Sequence, residues 1–198
     1  MTEAVSTKIT NIVLAGVGGQ GILLASKLLS EAALLEGYDV KANEVHGMAQ
    51  RGGSVIAQIR FGDKIYSPLV KTRTARFLIA LEVIEAVRHA RYLAPDGIAY
   101  INTQRIIPTT VSSGQANYPP NPEELIQKTI SNYKTADCLQ LARQVGSARC
   151  VNVVMAGWIS KDLPFSEDTW KQTMKHNIKE QFIEMNQKAF ELGKKLNE

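Results

Sequence analysis

The sequence predicts an α/β fold with a mostly parallel, partly mixed sheet and a helical C-terminal third, on three observations. Short apolar runs rich in branched residues alternate with helical patterns through the first half of the chain. Two glycine clusters, Gly16-Val17-Gly18-Gly19-Gln20-Gly21 and Glu44-Val45-His46-Gly47-Met48-Ala49-Gln50-Arg51-Gly52-Gly53-Ser54, stand where strands hand the chain to loops, and from Cys138 onward the apolar positions take helical spacing. Open α/β sheets build their sites from the loops at the carboxyl ends of the strands, so function is sought on that edge.

The elements follow in order. Residues 11–15 form a buried first strand that the glycines end, and Ile22, Leu24, Ala25, Leu28, Leu29, Ala32 and Leu35 then recur at helical spacing until Gly37 stops the helix. Residues 39–43 return as a second strand. After the second glycine cluster, 54–61 alternates apolar and polar residues except at Ile56, and Gly62-Asp63 turns the chain so that 64–66 pairs back as a hairpin arm. Residues 77–81 are the next buried strand, with a helix over 82–91 and a Pro95-Asp96-Gly97 turn into a strand at 98–101. The polar stretch 102–121 predicts a mobile or partner-ordered loop. Asn121 caps and Pro122 starts a helix reaching about residue 130. Helices over 138–145 and 151–159, a cap at Ser166 and one long terminal apolar run through Ile178, Phe182, Met185, Ala189, Phe190 and Leu196 complete the chain.

At 198 residues, 44% hydrophobic and 21% charged, the chain is expected to form one globular domain over 1–198. No apolar run approaches the ~20 residues of a membrane span, and the polar start carries no export signal, so the cytoplasm is the expected compartment. Cys138 and Cys150 lack a CxxC or Cys/His grouping, which predicts buried reduced thiols and no zinc site or iron–sulfur cluster built from this chain alone. The net charge of +4 is mild and scattered, which gives no support to a nucleic-acid surface. The densest basic group, Arg51, Arg60, Lys64, Lys71, Arg73 and Arg76, reads as a solvated face or as one turned to an anionic ligand or partner.

Gly16, Gly18 and Gly21 match the G-x-G-x-x-G spacing between a strand and a helix, where free N–H groups and the helix dipole attract an anion. With Asp39 or Glu44 as the acidic partner at the expected interval of about 20 residues, this supports a free-standing NAD(P)-binding oxidoreductase. Gly19 and Gln20 inside the turn speak against it, and a turn needed only for packing is a further reading. In the second cluster Gly47, Gly52 and Gly53 allow close backbone approach, while Gln50 and Arg51 offer donors and a fixed positive charge for a carboxylate or phosphate. His46 is an acid–base candidate or a hydrogen-bonded structural histidine, and no nucleophile with a recognisable partner accompanies it.

The two clusters together resemble the small subunit of 2-oxoacid:ferredoxin oxidoreductases, in the His46-Gly47-Met48-Ala49-Gln50-Arg51-Gly52-Gly53 form of the indolepyruvate branch. The likeness continues through Leu81-Glu82, Glu85-Ala86, Asn152-Val153-Val154-Met155-Ala156-Gly157 and the terminal Glu184-Met185-Asn186 and Ala189-Phe190-Glu191-Leu192-Gly193. The resemblance implies a three-layer Rossmann-like domain beside a large subunit holding thiamine diphosphate, Mg and [4Fe–4S] clusters. It implies oxidative decarboxylation of a 2-oxoacid, with electrons passed to ferredoxin and the acyl group to coenzyme A. Arg51 and His46 would be the catalytic candidates, and Gly16, Gly18, Gly19, Gln20, Gly21, Gln50, Gly52, Gly53 and Ser54 the cofactor-facing residues. A third reading, a ligand-sensing or scaffold domain, leaves these loops binding another protein away from any active site.

Overall fold

The computed structural model describes residues 9–47 and 52–197. Its sheet contains six strands: β1 (Thr10–Val17), β2 (Asp39–His46), β3 (Ser54–Gly62), β4 (Ala75–Ala80), β5 (Leu93–Asn102) and β6 (Tyr133–Ala136), arranged in the order β2-β3-β1-β4-β5-β6. β1, β4, β5 and β6 run parallel, while β3 is antiparallel to both β1 and β2. The sheet is thus mixed at one edge, as expected.

The predicted hairpin arm at 64–66 is not a strand. β3 already has both edges paired, Leu14 facing Ala57 from one side and Glu44 facing it from the other, so no ladder position is free. The segment instead crosses the sheet face, where the Ile65 amide donates to Asp39 Oδ2 at 2.7 Å and the Val70 amide to the buried Gln58 Oε1 at 2.6 Å. Burial of β3 on both faces also explains Ile56, which breaks the alternation expected of a half-solvated strand.

α1 (Ile22–Leu35), α6 (Val151–Ser160), α7 (Glu167–Asn177) and α8 (Glu180–Lys195) belong to the larger core, with Leu14, Ala57, Ile59 and Ile79 from one face of the sheet. α2 (Val83–His89) and α4 (Pro122–Thr129) cover Val13, Ala15, Leu78 and Ala99 on the other face. A one-turn helix, α3 (Thr109–Ser112), and α5 (Cys138–Gln144) complete the α-helices of the described residues. The result is a three-layer α/β fold, helices on both faces of the sheet.

Every residue of α6 is buried, because α8 closes over it from outside. The helices meet through glycines: a Cβ on Gly157 would lie 2.1 Å from the Phe190 carbonyl oxygen, and one on Gly193 2.0 Å from that of Val154. The expected single terminal run is two helices, broken at Ile178, whose extended backbone ends α7. Pro95-Asp96-Gly97 lies inside β5 as an irregularity, where the register jumps from Ala75↔Leu93 to Phe77↔Ile98. Asn121 does not accept from α4; its amide donates to Glu124 Oε1 at 2.9 Å. β6 was not expected, its Tyr133-Lys134-Thr135-Ala136 being too short and too exposed to show a pattern.

Candidate functional site

The first glycine cluster joins the carboxyl end of β1 to α1, as the sequence requires. Gly21 has φ +76°, and a Cβ there would meet Asn152 Nδ2 at 2.6 Å, the same nitrogen that donates to the Gly21 carbonyl at 3.0 Å. Glycine is demanded here both by conformation and by the approach of α6. Gln20 turns back into its own loop: Oε1 accepts from the Val17 amide at 2.9 Å, and Nε2 donates to the Leu81 carbonyl at 2.7 Å and to Gln104 Oε1 at 3.1 Å. A Cβ on Gly16 would stand 2.7 Å from that Oε1. Gly19 is exposed.

Asn102, at the end of β5, donates to the same Leu81 carbonyl at 2.9 Å and accepts from the Cys138 amide at 3.0 Å. An amide network therefore ties together the carboxyl ends of β1, β4 and β5 and the start of α5. Gln104, Asn102 and Asn152 are distant in sequence from the glycines, and no periodicity or spacing points to the first two.

The second cluster connects β2 to β3 on the same edge. Gly47 N donates to the Ser54 carbonyl at 2.9 Å, closing the neck of the loop, and Gly18 N donates to the Gly53 carbonyl at 2.9 Å, clasping the two clusters together. Gln50 and Arg51 lie outside the described residues. His46, the last residue of β2, is exposed. The Ser54 hydroxyl bonds Glu85 on α2.

Glu82, 2% exposed, caps α2: Oε2 accepts from the Ile84 and Glu85 amides at 2.7 and 3.0 Å, and Oε1 from the Ile106 amide at 3.2 Å and the Tyr118 hydroxyl at 2.8 Å. Burial, followed by the Glu82 carboxylate, pushes the Tyr118 phenol upward. Glu82 thus pins part of the 102–121 segment, expected to be a mobile or partner-ordered loop, at the carboxyl edge of the sheet.

Between the first glycine loop and this segment lies a cleft of about 320 Å³, lined among others by Gly18, Gly19, Gln20, Gln104, Arg149 and Val151. α1 opens onto this edge with no side-chain cap and no acidic residue in its first turn. The free amides of a helix start and the Arg149 guanidinium favour an anionic group in such a cleft.

The acidic partners of the dinucleotide reading are out of place. β3 separates β2 from β1, which puts Glu44 two strands away from Leu14, and Asp39 sits at the opposite end of β2 bonding the Ile65 amide. Cys138 and Cys150 are free and buried, and burial pushes both thiols upward, Cys138 with a further contribution from Asp137. Among the described residues no group of three or more His, Cys, Asp or Glu is placed to hold a metal ion. Among the described residues no helix is long and apolar enough to cross a membrane.

Comparison with known proteins adds the lineage. The chain is 40% identical over 190 residues to indolepyruvate oxidoreductase subunit IorB of Thermococcus kodakarensis, an alignment covering 93% of this chain and 94% of that one. Its fold resembles pyruvate oxidoreductase subunit PORC of Thermotoga maritima, with TM-score 0.72, 22% identity and coverage of 95% and 96%. It also resembles part of a longer chain, the 2-oxoglutarate:ferredoxin oxidoreductase of Magnetococcus marinus solved with 2-oxoglutarate, coenzyme A and succinyl-CoA, with TM-score 0.75, 20% identity and coverage of 96% and 31%. The pyruvate ferredoxin/flavodoxin oxidoreductase profile matches residues 11–196, and with glycine loops clasped on the edge where such folds build their sites, the chain belongs to that family.

Proposed function

We propose that this chain is the small, cofactor-free subunit of a 2-oxoacid:ferredoxin oxidoreductase acting on aryl pyruvates such as indolepyruvate. The observation that carries the reading is the 40% identity, along nearly the full length of both chains, to a protein named as an indolepyruvate oxidoreductase subunit. Among the described residues no group of three or more His, Cys, Asp or Glu is placed to hold a metal ion. In this reading the large subunit holds thiamine diphosphate, Mg and [4Fe–4S] clusters, which supply the carbanion chemistry and the path for single electrons to ferredoxin.

This chain's own residues place and enclose. Gly16, Gly18, Gly19, Gln20 and Gly21 shape a loop whose backbone and helix start meet an anionic group, with Arg149 at the rim and coenzyme A as the co-substrate. Gln50, Gly52, Gly53 and Ser54 belong to the second loop, from which Arg51 offers its fork to a carboxylate or phosphate and His46 a proton-transfer group. Residues 1–198 act as one domain in the cytoplasm.

The test is anaerobic purification of the tagged chain from its host, then indolepyruvate- and coenzyme A-dependent reduction of ferredoxin with and without it. Co-purification with a brown, thiamine-containing large subunit, and loss of turnover when this chain is omitted, is the expected result. Full turnover in its absence overturns the reading.

A further inference from the structure

We infer that Glu85 and His89 are buried positioning residues that, with the half-buried Ser54, form a hydroxyl–carboxylate–imidazole anchor holding both glycine loops from the α2 side of the sheet. Ser54 is the first residue of β3, paired with Val17 at the carboxyl edge. Its hydroxyl bonds Glu85 Oε2 and lies 3.3 Å from His89 Nε2, which is itself 3.3 Å from the same carboxylate oxygen. The other carboxylate oxygen meets Arg88 Nε at 3.3 Å. Glu85 and His89 are 3% and 8% exposed and stand one helical turn apart on α2.

A charged group on the buried side of a short helix is costly unless it is fully paired, and packing alone would place an apolar residue there, as it does at Val83 and Ala86. What the pair gains is a third member from another element. Ser54 is the point on which the loop geometry converges: its carbonyl accepts from Gly47 N, and the carbonyl of the preceding Gly53 accepts from Gly18 N. A hydroxyl fixed from behind therefore fixes the neck of the second loop and its clasp on the first. The His89 ring is set through Nε2 and its stacking on Tyr92, with centroids 6.3 Å apart, because Nδ1 is buried with no partner among the described residues.

Amide hydrogen exchange on the full chain reads the anchor directly. Ser54→Ala and Glu85→Gln are expected to speed exchange at Gly18 and Gly47 about tenfold, while the Leu81 amide, bonded to the Ala15 carbonyl at 2.8 Å, keeps its protection. Ser54→Thr keeps the hydroxyl and restores the slow exchange. Unchanged exchange at Gly18 and Gly47, or an equal rise at Leu81, overturns the anchor.

A second readout rests on the proposed function. In the assembled complex Glu85→Gln, which leaves the loop residues themselves intact, raises KM for coenzyme A about tenfold with kcat within about twofold. If exchange responds locally while KM does not move, the anchor stands and it is the edge's part in the reaction that fails.

Discussion

Gln20 makes three hydrogen bonds with one side chain: it satisfies the Val17 amide of its own turn and shares the Leu81 carbonyl and Gln104 Oε1 with Asn102. Truncation to Ala strands the Val17 amide and half of the Leu81 carbonyl's bonding, and urea unfolding should record a loss of about 1–3 kcal/mol. Gly21→Ala adds a left-handed backbone penalty to a collision with Asn152, for a loss of about 2–4 kcal/mol in the same measurement. Arg51→Ala tests the site at the same scale: the complex should still assemble but lose turnover, measured as ferredoxin reduction, whereas a scaffold role leaves turnover intact. The spacing of Gly16, Gly18 and Gly21 was legible in the sequence because a strand-to-helix turn has few chemical solutions. The partners of those residues were not, since Gln104 and Asn152 reach the loop only after folding.

Among the elements, α6 and α8 show how a local composition acquires meaning from its neighbour. Gly157 and Gly193 weaken their own helices, yet they permit two backbones to approach until a single methyl group would overlap a carbonyl oxygen. Gly157→Ala or Gly193→Ala should cost about 3 kcal/mol or more, seen as a lowered thermal midpoint with no compensating gain in helix content. The Ser166 cap on α7 was readable from its side chain, which accepts from the Thr169 amide at 3.2 Å. What the sequence could not reveal is that Glu36, ending α1, accepts from the Ser166 amide and the Thr169 hydroxyl, both at 2.6 Å. These bonds hold the Glu36 carboxyl below its ordinary value of 4.5. A depressed carboxyl stabilises the fold above its unfolded value, and that contribution is lost as pH falls through the lower folded value. Glu36→Gln should therefore flatten the acid limb of stability, measured by urea titration from ~pH 7 to ~pH 3, with little further effect from rising pH.

At the scale of the whole molecule, the β2–β3 hairpin inserts an antiparallel strand beside β1 and so separates this sheet from the arrangement in which a second strand's acidic residue meets a nucleotide ribose. The G-x-G-x-x-G spacing survives that insertion because it answers to the β1–α1 turn alone. The helical layer over α6 also seals Cys138, which should react with a thiol reagent only as fast as the fold opens globally. Equal rates of Cys138 labelling and core amide exchange would confirm this, and faster labelling would reveal a local opening of α5.

By itself, the sequence determined the alternation of strands and helices and the kinship carried by the paired glycine clusters, because each depends on residues close together in the chain. Tertiary structure decided the rest. Which edges of β3 were free, where the 102–121 segment would be pinned and what would hold Ser54 are questions of register and burial. Glu82 and Glu85 looked like ordinary residues at a helix start until the fold took them out of water and gave them hydrogen-bond partners. A buried carboxylate is tolerated only where donors from other elements converge on it, and that convergence is a property of the assembled sheet and helices.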